Sequence, residues 1–354
     1  MVFDYIDGAA GNETGAARNR AALDEMCLRP RVLRDVSRRA LSVELFGETV
    51  SRPFGIAPMG MCNLAAPGAD LMLARLAARE GVPLGVSTMA STPMERLIEL
   101  AEGNAWFQLY CSGDGSGAFK LVERAKAAGY TTLVLTADVP ELGRRPRELR
   151  HGFRMPFRIG PRQFLDFALH PRWSLSTLFR GRPELANFRA PGFTFDRTES
   201  RARADWDMLA RLRDAWPGRL VVKGILDPAD ARMARERGVD AIQVSNHGAR
   251  QLESAPAALE ALAAIRAELG PGVPLFLDSG LRSGEDVLKA LATGAGFTFL
   301  GRVFLFAIAA AGEEGLQRMW QVLCEELGIA MAQLGLTDLS AVGRAGWTAR
   351  APAA

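Results

Sequence analysis

The sequence predicts a (β/α)8 barrel. Three observations predict it: eight short runs rich in apolar and β-branched residues, stretches of helical periodicity between them, and a polar side chain closing almost every run. The runs are 54–59, 84–89, 106–110, 132–138, 220–224, 241–246, 275–279 and 297–302. Between them, 69–80, 93–101, 117–128, 228–237 and 284–292 carry Ala, Leu, Glu and Arg at helical spacing. Strands that alternate with helical crossovers lie parallel, and eight of them close on themselves.

Each element then has a place. Residues 1–47 precede the eight-fold pattern and are expected to pack against the barrel as an extension. The fourth connection is irregular, because roughly 80 residues part Asp138 from Leu220 where most connections need a few tens. Residues 155–200 are therefore an insertion, rich in Phe, Arg and Pro through 195, and 206–216 resume as the fourth barrel helix. The whole of 1–354 is expected to form one barrel domain.

Composition excludes several classes. An apolar fraction of 48% with 23% charged residues suits a globular protein with a large core. A net charge of +3 from 43 basic and 40 acidic side chains favours small anionic substrates over nucleic acid. Cys27, Cys62, Cys111 and Cys324 lack paired or metal-ligand spacing, which reads as reduced thiols of a cytoplasmic protein with no bound metal. The longest apolar run, 303–311, is too short to cross a bilayer, and Asp4 and Asp7 follow Met1 where an export signal is basic and apolar.

A barrel places its active site at the carboxyl ends of its strands. In this chain those ends carry Pro58-Met59-Gly60, Ser87, Gln108 with Tyr110, Thr136 with Asp138, Lys223, Ser245 with His247, Asp278, and Gly301 with Arg302. A single polar residue at a strand end is as often a cap as a site; a full set in register points to chemistry. Histidine is the usual proton shuttle near neutral pH, and there are three. His151 and His170 fall in the fourth connection, whereas His247 follows the sixth strand with Arg250 close behind to meet an anion. Lys223 ends a strand of Val and Leu, where a buried ammonium needs a counter-charge. A carboxylate such as Asp138 can hold an imidazole in one tautomer and stabilise its protonated form. Asp278-Ser-Gly-Leu-Arg282 and Gly301-Arg302 end the last two strands, where barrels often bind phosphate.

Six motifs carry a wider resemblance: Ser245-Asn-His-Gly-Ala-Arg-Gln251, Val222-Lys-Gly, Trp106-Phe-Gln-Leu-Tyr110, Leu135-Thr-Ala-Asp138, Leu142-Gly-Arg-Arg145 and Leu277-Asp-Ser-Gly-Leu-Arg282. In this order and over nearly the whole chain, they resemble the FMN-dependent 2-hydroxy acid dehydrogenase and oxidase family, which includes glycolate oxidase and the lactate and mandelate dehydrogenases. The resemblance implies FMN as hydride acceptor and a small L-2-hydroxy acid, lactate- or mandelate-like, oxidised to its 2-oxo acid. It makes His247 the base and Asp138 the stabiliser of its imidazolium. Arg145 and Arg250 become the substrate-carboxylate pair, Tyr5 and Tyr110 hydroxyl donors, and Lys223 the cation beside the reduced flavin. Pro58, Met59, Gly60, Ser87, Gln108, Thr136 and Ser245 fall at the flavin ring and ribityl chain. Asp278, Gly280, Arg282, Gly301 and Arg302 fall at its ribityl and phosphate groups.

Departures from the family pattern bear on the substrate. Gly60 stands where many members have alanine and is expected to leave open space beside the flavin. Met89 replaces a tryptophan of glycolate oxidase, and both suggest a bulkier or apolar acid. The residues needed are the same whether His247 takes the hydroxyl proton as hydride leaves or the carbon-bound proton. Oxygen, a quinone or a cytochrome all remain open as electron acceptor, and the family commonly forms homotetramers.

Two rival readings stand beside this one: another FMN barrel, such as a type 2 isopentenyl diphosphate isomerase, or a non-catalytic flavin-binding protein. The insertion also has two readings. Phe157, Phe164, Phe167, Trp173 and Phe179, interleaved with Arg158, Arg162, Arg172 and Arg180, suit either a lid over the barrel mouth or a peripheral contact with the anionic inner face of a membrane.

Overall fold

Runs such as Leu-Phe-Leu at 275–277 and Phe-Thr-Phe-Leu at 297–300 offer no polar face to water, so both of their faces must be covered. The structure, a computed structural model, does this with a closed barrel. It describes residues 1–153, 160–180, 184–189, 200–202, 204–344 and 347–349. The barrel strands are β1 (Phe54–Met59), β2 (Leu84–Ser87), β3 (Ala105–Leu109), β4 (Thr132–Thr136), β5 (Arg219–Ile225), β6 (Ala241–Val244), β7 (Leu275–Leu277) and β8 (Phe297–Leu300). They run in sequential order, every pairing is parallel, and β8 closes on β1 through Thr298 opposite Phe54.

Inside the barrel the period of two divides the strands into layers. Trp106, Val134, Val221, Ala241, Phe276, Phe297 and Phe299 form one apolar cluster with Leu45. The hairpin Val43–Leu45 and Glu48–Val50 closes this end, with Phe46 centred 5.8 Å from Trp106 and 5.6 Å edge-on to Phe276. Two residues further along the same strands, the inward positions become Gln108, Thr136, Lys223 and Asp278, all buried. The fold thus lays a row of polar groups over an apolar floor, at the carboxyl end.

Outside, helices cover the strands. The N-terminal extension holds α1 (Val2–Asp7) and α2 (Thr14–Glu25). The first three crossovers are α3 (Ala69–Glu80), α4 (Met94–Leu100) and α5 (Ser116–Ala127). The fourth connection contains α6 (Pro146–Arg150), α7 (Pro161–Ala168) and α8 (Pro171–Arg180) before its barrel helix, α9 (Trp206–Ala215). The rest are α10 (Pro228–Glu236), α11 (Ala258–Leu269), α12 (Gly284–Thr293) and α13 (Arg302–Gln333), the last bent at Ala311 and Gly312. Helices α9 and α12 begin as their sequences dictate, with the Asp205 and Ser283 side chains accepting from the backbone N–H groups of Met208 and Asp286.

Six of the eight expected strands overran the observed ones at their carboxyl ends, while the first ends at Met59 as expected and the fifth runs one residue further, to Ile225. Met89, Tyr110, Asp138, Asn246 and Ser279 leave the ladder and belong to the loops that follow. Ser279 (φ 82°) and His247 (φ 58°) even adopt left-handed backbone conformations that no strand contains.

The insertion splits the aromatics that its sequence presented as one set. Phe167 and Trp173 pair at 5.3 Å, and the Trp173 indole donates to the Leu64 carbonyl at 2.8 Å, which anchors α8 to the loop after β1. Phe164, Leu165, Leu169, Leu175, Leu178 and Phe179 instead point outward, between 52% and 83% exposed. Phe157 and Arg158, and the side chains of Arg162 and Arg180, lie outside the described residues.

Candidate active site

The polar layer faces a cavity of about 480 Å³, within the usual range of small-molecule and cofactor sites. Along β2, β3 and β4, Ser87 Oγ donates to Gln108 Oε1 at 2.9 Å, and Gln108 Nε2 donates to Thr136 Oγ1 at 2.8 Å. Beside them Lys223 Nζ donates to Ser245 Oγ at 2.7 Å and pairs with Asp278 Oδ2 at 3.2 Å. Asp278 also accepts from Gln243 (2.6 Å), Ser245 (2.6 Å) and Ser279 (2.7 Å). Burial pulls the Lys223 pKa down, but the Asp278 and Asp138 carboxylates outweigh it and hold the ammonium above its ordinary value. The site therefore keeps a fixed cation on its floor.

Across the cavity, His247 Nδ1 lies 2.9 Å from Asp138 Oδ1, and Nε2 lies 3.4 Å from the Tyr110 hydroxyl. Burial raises the Asp138 pKa, yet the charges of His247 and Lys223 bring it below the usual carboxylate value. An ionised Asp138 accepts, so Nδ1 carries the proton and Nε2 keeps its lone pair toward the cavity. Gly224 makes this possible: at φ 104° it passes Asp138 so closely that a Cβ would sit 2.5 Å from the Asp138 Cβ and Cγ.

The loop bearing His247 is braced from α2. Asn19 and Asn246 exchange side-chain hydrogen bonds of 2.9 and 2.8 Å, and Asn246 Oδ1 also accepts from Ala249 N at 3.1 Å. Ser279 Oγ accepts from Gly248 N at 3.0 Å. The sequence reading missed Asn19, Asn246 and Ser279 as parts of the site. Their signal was weak, since each is a small polar residue in a segment that a cap or turn explains equally well.

The third group comes from the chain's beginning and the fourth connection. Tyr5 stacks on Phe153 at 4.4 Å, and the Arg250 guanidinium lies 5.2 Å above the Tyr5 ring. Arg145 and Arg250 both line the cavity, and both donate to the buried Glu148. Arg201, likewise absent from the sequence reading, lies 5.4 Å from the Tyr110 ring centre and lines the same wall.

Arg302 takes a role that its strand-end position did not disclose. Its guanidinium donates to the carbonyls of Ile6 (3.1 Å), Gly8 (3.1 Å) and Gly248 (2.9 Å), fastening α1 over the site. Burial and the neighbouring Arg250 and Arg282 push its pKa down to about 10. A cationic cluster under such strain gains from an anion, and Gly280 (φ 89°) lets its loop pack close against α2, where a Cβ would stand 3.0 Å from Asn19 Cβ. Gly301 also lines the cavity, between Leu300 and Arg302. On these grounds the residues present fit a phosphate-bearing group with a polar ring edge.

The expectation of open space at Gly60 is corrected. A Cβ there would meet Met89 Cβ at 3.0 Å, so Met89 already fills the region that the missing side chain leaves. The cavity wall is apolar nonetheless, through Met59, Met89, Val139, Leu142 and Leu185. No group of three or more His, Cys, Asp or Glu among the described residues could hold a metal ion.

Comparison with known proteins shows the family and the fold. The model of the family described as FMN-dependent dehydrogenase matches residues 1–349. The chain is 39% identical to the (S)-mandelate dehydrogenase of Pseudomonas putida, over 97% of this chain and 88% of that protein. It is also 39% identical to the L-lactate dehydrogenase of Xanthomonas euvesicatoria, over 97% and 90%. Among solved structures it superposes on the monotopic membrane protein (S)-mandelate dehydrogenase with a TM-score of 0.94 and 38% identity, over 99% of this chain and 95% of that one. Mandelate oxidase with benzoyl-formic acid matches at 0.84 and 34%, over 98% and 93%.

Proposed function

The chain belongs to the FMN-dependent dehydrogenase family and is an FMN-dependent oxidoreductase of 2-hydroxy acids, and from that premise we propose how its site works and on which acid. The substrate is an L-2-hydroxy acid with an apolar side chain, of the lactate or mandelate class, oxidised to the 2-oxo acid. The observation that carries this reading is the convergence of the His247–Asp138 pair with Arg145 and Arg250 on one apolar-walled cavity.

Arg145 and Arg250 bind the substrate carboxylate through the planar guanidinium fork, and Tyr5 and Tyr110 donate to the carboxylate and the reacting oxygen. His247 Nε2 takes the substrate proton, and Asp138 stabilises the imidazolium that results. The same residues serve whether the proton comes from the hydroxyl or from the carbon. Met59, Gly60, Ser87, Gln108, Thr136, Lys223 and Ser245 would hold the flavin ring and ribityl chain, with Asp278, Gly280, Arg282, Gly301 and Arg302 toward the phosphate. When bound, FMN supplies the acceptor for the two electrons of the oxidation. Lys223 provides a fixed positive charge near that acceptor, which costs no reorganisation during the reaction. The family match over residues 1–349, with relatives that are mandelate and lactate dehydrogenases, sets the isomerase reading aside.

Anaerobic mixing of the yellow protein with glycolate, L-lactate, 2-hydroxyoctanoate and each mandelate enantiomer tests this. We expect the flavin band to bleach with an L-acid bearing an apolar side chain, and glycolate to be slowest. If no hydroxy acid bleaches it, the proposal is lost. Readmitting air then separates an oxidase, which recovers its colour quickly, from an enzyme serving a quinone or cytochrome.

A second reading concerns location. The outward apolar faces of α7 and α8, with Arg172 beside them, suit a peripheral membrane contact, and one similar structure is described as a monotopic membrane protein. No helix among the described residues is long and apolar enough to cross a membrane. We expect the protein to sediment with anionic vesicles, and Phe164→Ser with Phe179→Ser to reduce the bound fraction several-fold. Equal sedimentation of both proteins would leave α7 and α8 as a lid only.

A further inference from the structure

Two buried guanidinium groups side by side repel each other, and each loses the hydration that would otherwise disperse its charge. Arg145 and Arg250 are in this position, with side chains 12% and 16% exposed. Burial and the nearby Arg145 together lower the Arg250 pKa. What holds them together is a single carboxylate. Glu148, 6% exposed in its side chain, accepts from Arg145 Nη1 at 3.1 Å through Oε1 and 3.3 Å through Oε2, and from Arg250 Nη2 at 3.0 Å through Oε1.

Local structure fixes where this carboxylate stands. Glu148 lies in the short helix α6, three residues after Arg145, a spacing that brings both side chains to one face. Its carbonyl accepts from Phe153 N at 3.0 Å, and Phe153 is the ring on which Tyr5 stacks. Arg250 reaches Glu148 from the loop after β6, 102 positions along the chain, while its Nη1 donates to the Gly8 carbonyl at 2.6 Å.

We propose that Glu148 is the positioning residue of the substrate-carboxylate receptor, aligning Arg145 and Arg250 and cancelling one of their two charges. This rests on the reading of those arginines as the carboxylate site. Two guanidinium cations and one carboxylate leave a single net positive charge, which one substrate carboxylate neutralises. Glu148 itself does not touch the reacting atoms, so its removal weakens the grip on the acid and spares the chemistry.

The test measures kcat and KM of the holoenzyme for L-lactate and (S)-mandelate and for the methyl ester of each. The ester keeps the reacting carbinol and lacks the anion. In Glu148→Gln, KM for the acid rises by about tenfold to a hundredfold, since one partner of a buried charge cluster is gone. The kcat stays within about threefold and kcat/KM for the ester holds, so the acid-over-ester preference collapses. Glu148→Asp restores part of that preference. Should Glu148→Gln yield no yellow protein, the acid-over-ester ratio of Glu148→Asp decides by itself. An unchanged or lowered KM for the acid, or an equal loss for acid and ester, overturns the proposal. A wild-type protein that no hydroxy acid reduces would overturn the 2-hydroxy acid reading instead.

Discussion

Replacing His247 with glutamine lowers the rate of flavin reduction by about a thousandfold, the order of magnitude that a positioned general base contributes. The reason is geometric: Nε2 is the ring nitrogen turned to the cavity, because Asp138 engages Nδ1 at 2.9 Å. Glutamine fills similar space but takes no proton at neutral pH. Substrate binding changes little, since Arg145, Arg250 and Tyr5 remain. Stopped-flow reduction at saturating substrate checks this, and a loss smaller than tenfold would remove His247 from the role of base.

Changing Asp138 to asparagine lowers the same rate by about a hundredfold to ten-thousandfold, with KM nearly constant. An asparagine amide can donate to Nδ1, which puts the proton on Nε2 and leaves the imidazole unable to accept at the cavity. It also removes the charge that stabilises the imidazolium. The double variant His247→Gln, Asp138→Asn should be no slower than His247→Gln alone, because the two residues act as one unit. Additive losses would mean that Asp138 works elsewhere.

The pH dependence follows from the sign of the Asp138 shift. Its folded pKa lies below the usual carboxylate value, by His247 and Lys223 acting against burial. The stabilisation from the ionised carboxylate is complete above the unfolded value of about 4. It is lost only as the pH falls through the folded value. Asp138 therefore stays charged near neutrality, and its protonation contributes no fall in kcat/KM above about pH 5.

Much of the site was legible in the chain before any contact was known. Lys223, Gln108, Thr136 and Asp278 could be picked out because each ends an apolar run, and the layering of the barrel shows why: they lie two positions beyond Val221, Trp106, Val134 and Phe276 on the same inward faces. His247 stood out because histidines are few and this one follows a strand. Glu148 was hidden in the run Arg-Arg-Pro-Arg-Glu-Leu-Arg, where a lone acid reads as surface charge balance. Asn19 sits in an exposed-looking amphipathic helix, and only its exchange of hydrogen bonds with Asn246, 227 positions away, reveals its work.

By itself the sequence determined the barrel, the order of its strands and the positions at which chemistry is offered, because a two-residue strand period and a helical period are local rules that the chain carries with it. Tertiary structure decided which offers meet. The His247–Asp138 bond joins residues 109 positions apart, and the Glu148 carboxylate joins arginines on separate connections. It also turned Met89 into the space beside Gly60, set Arg302 on the carbonyls of the first helix, and turned Phe167 and Trp173 of the insertion inward. Such pairings depend on how long loops close over the barrel mouth, and no periodic rule in the sequence encodes that path.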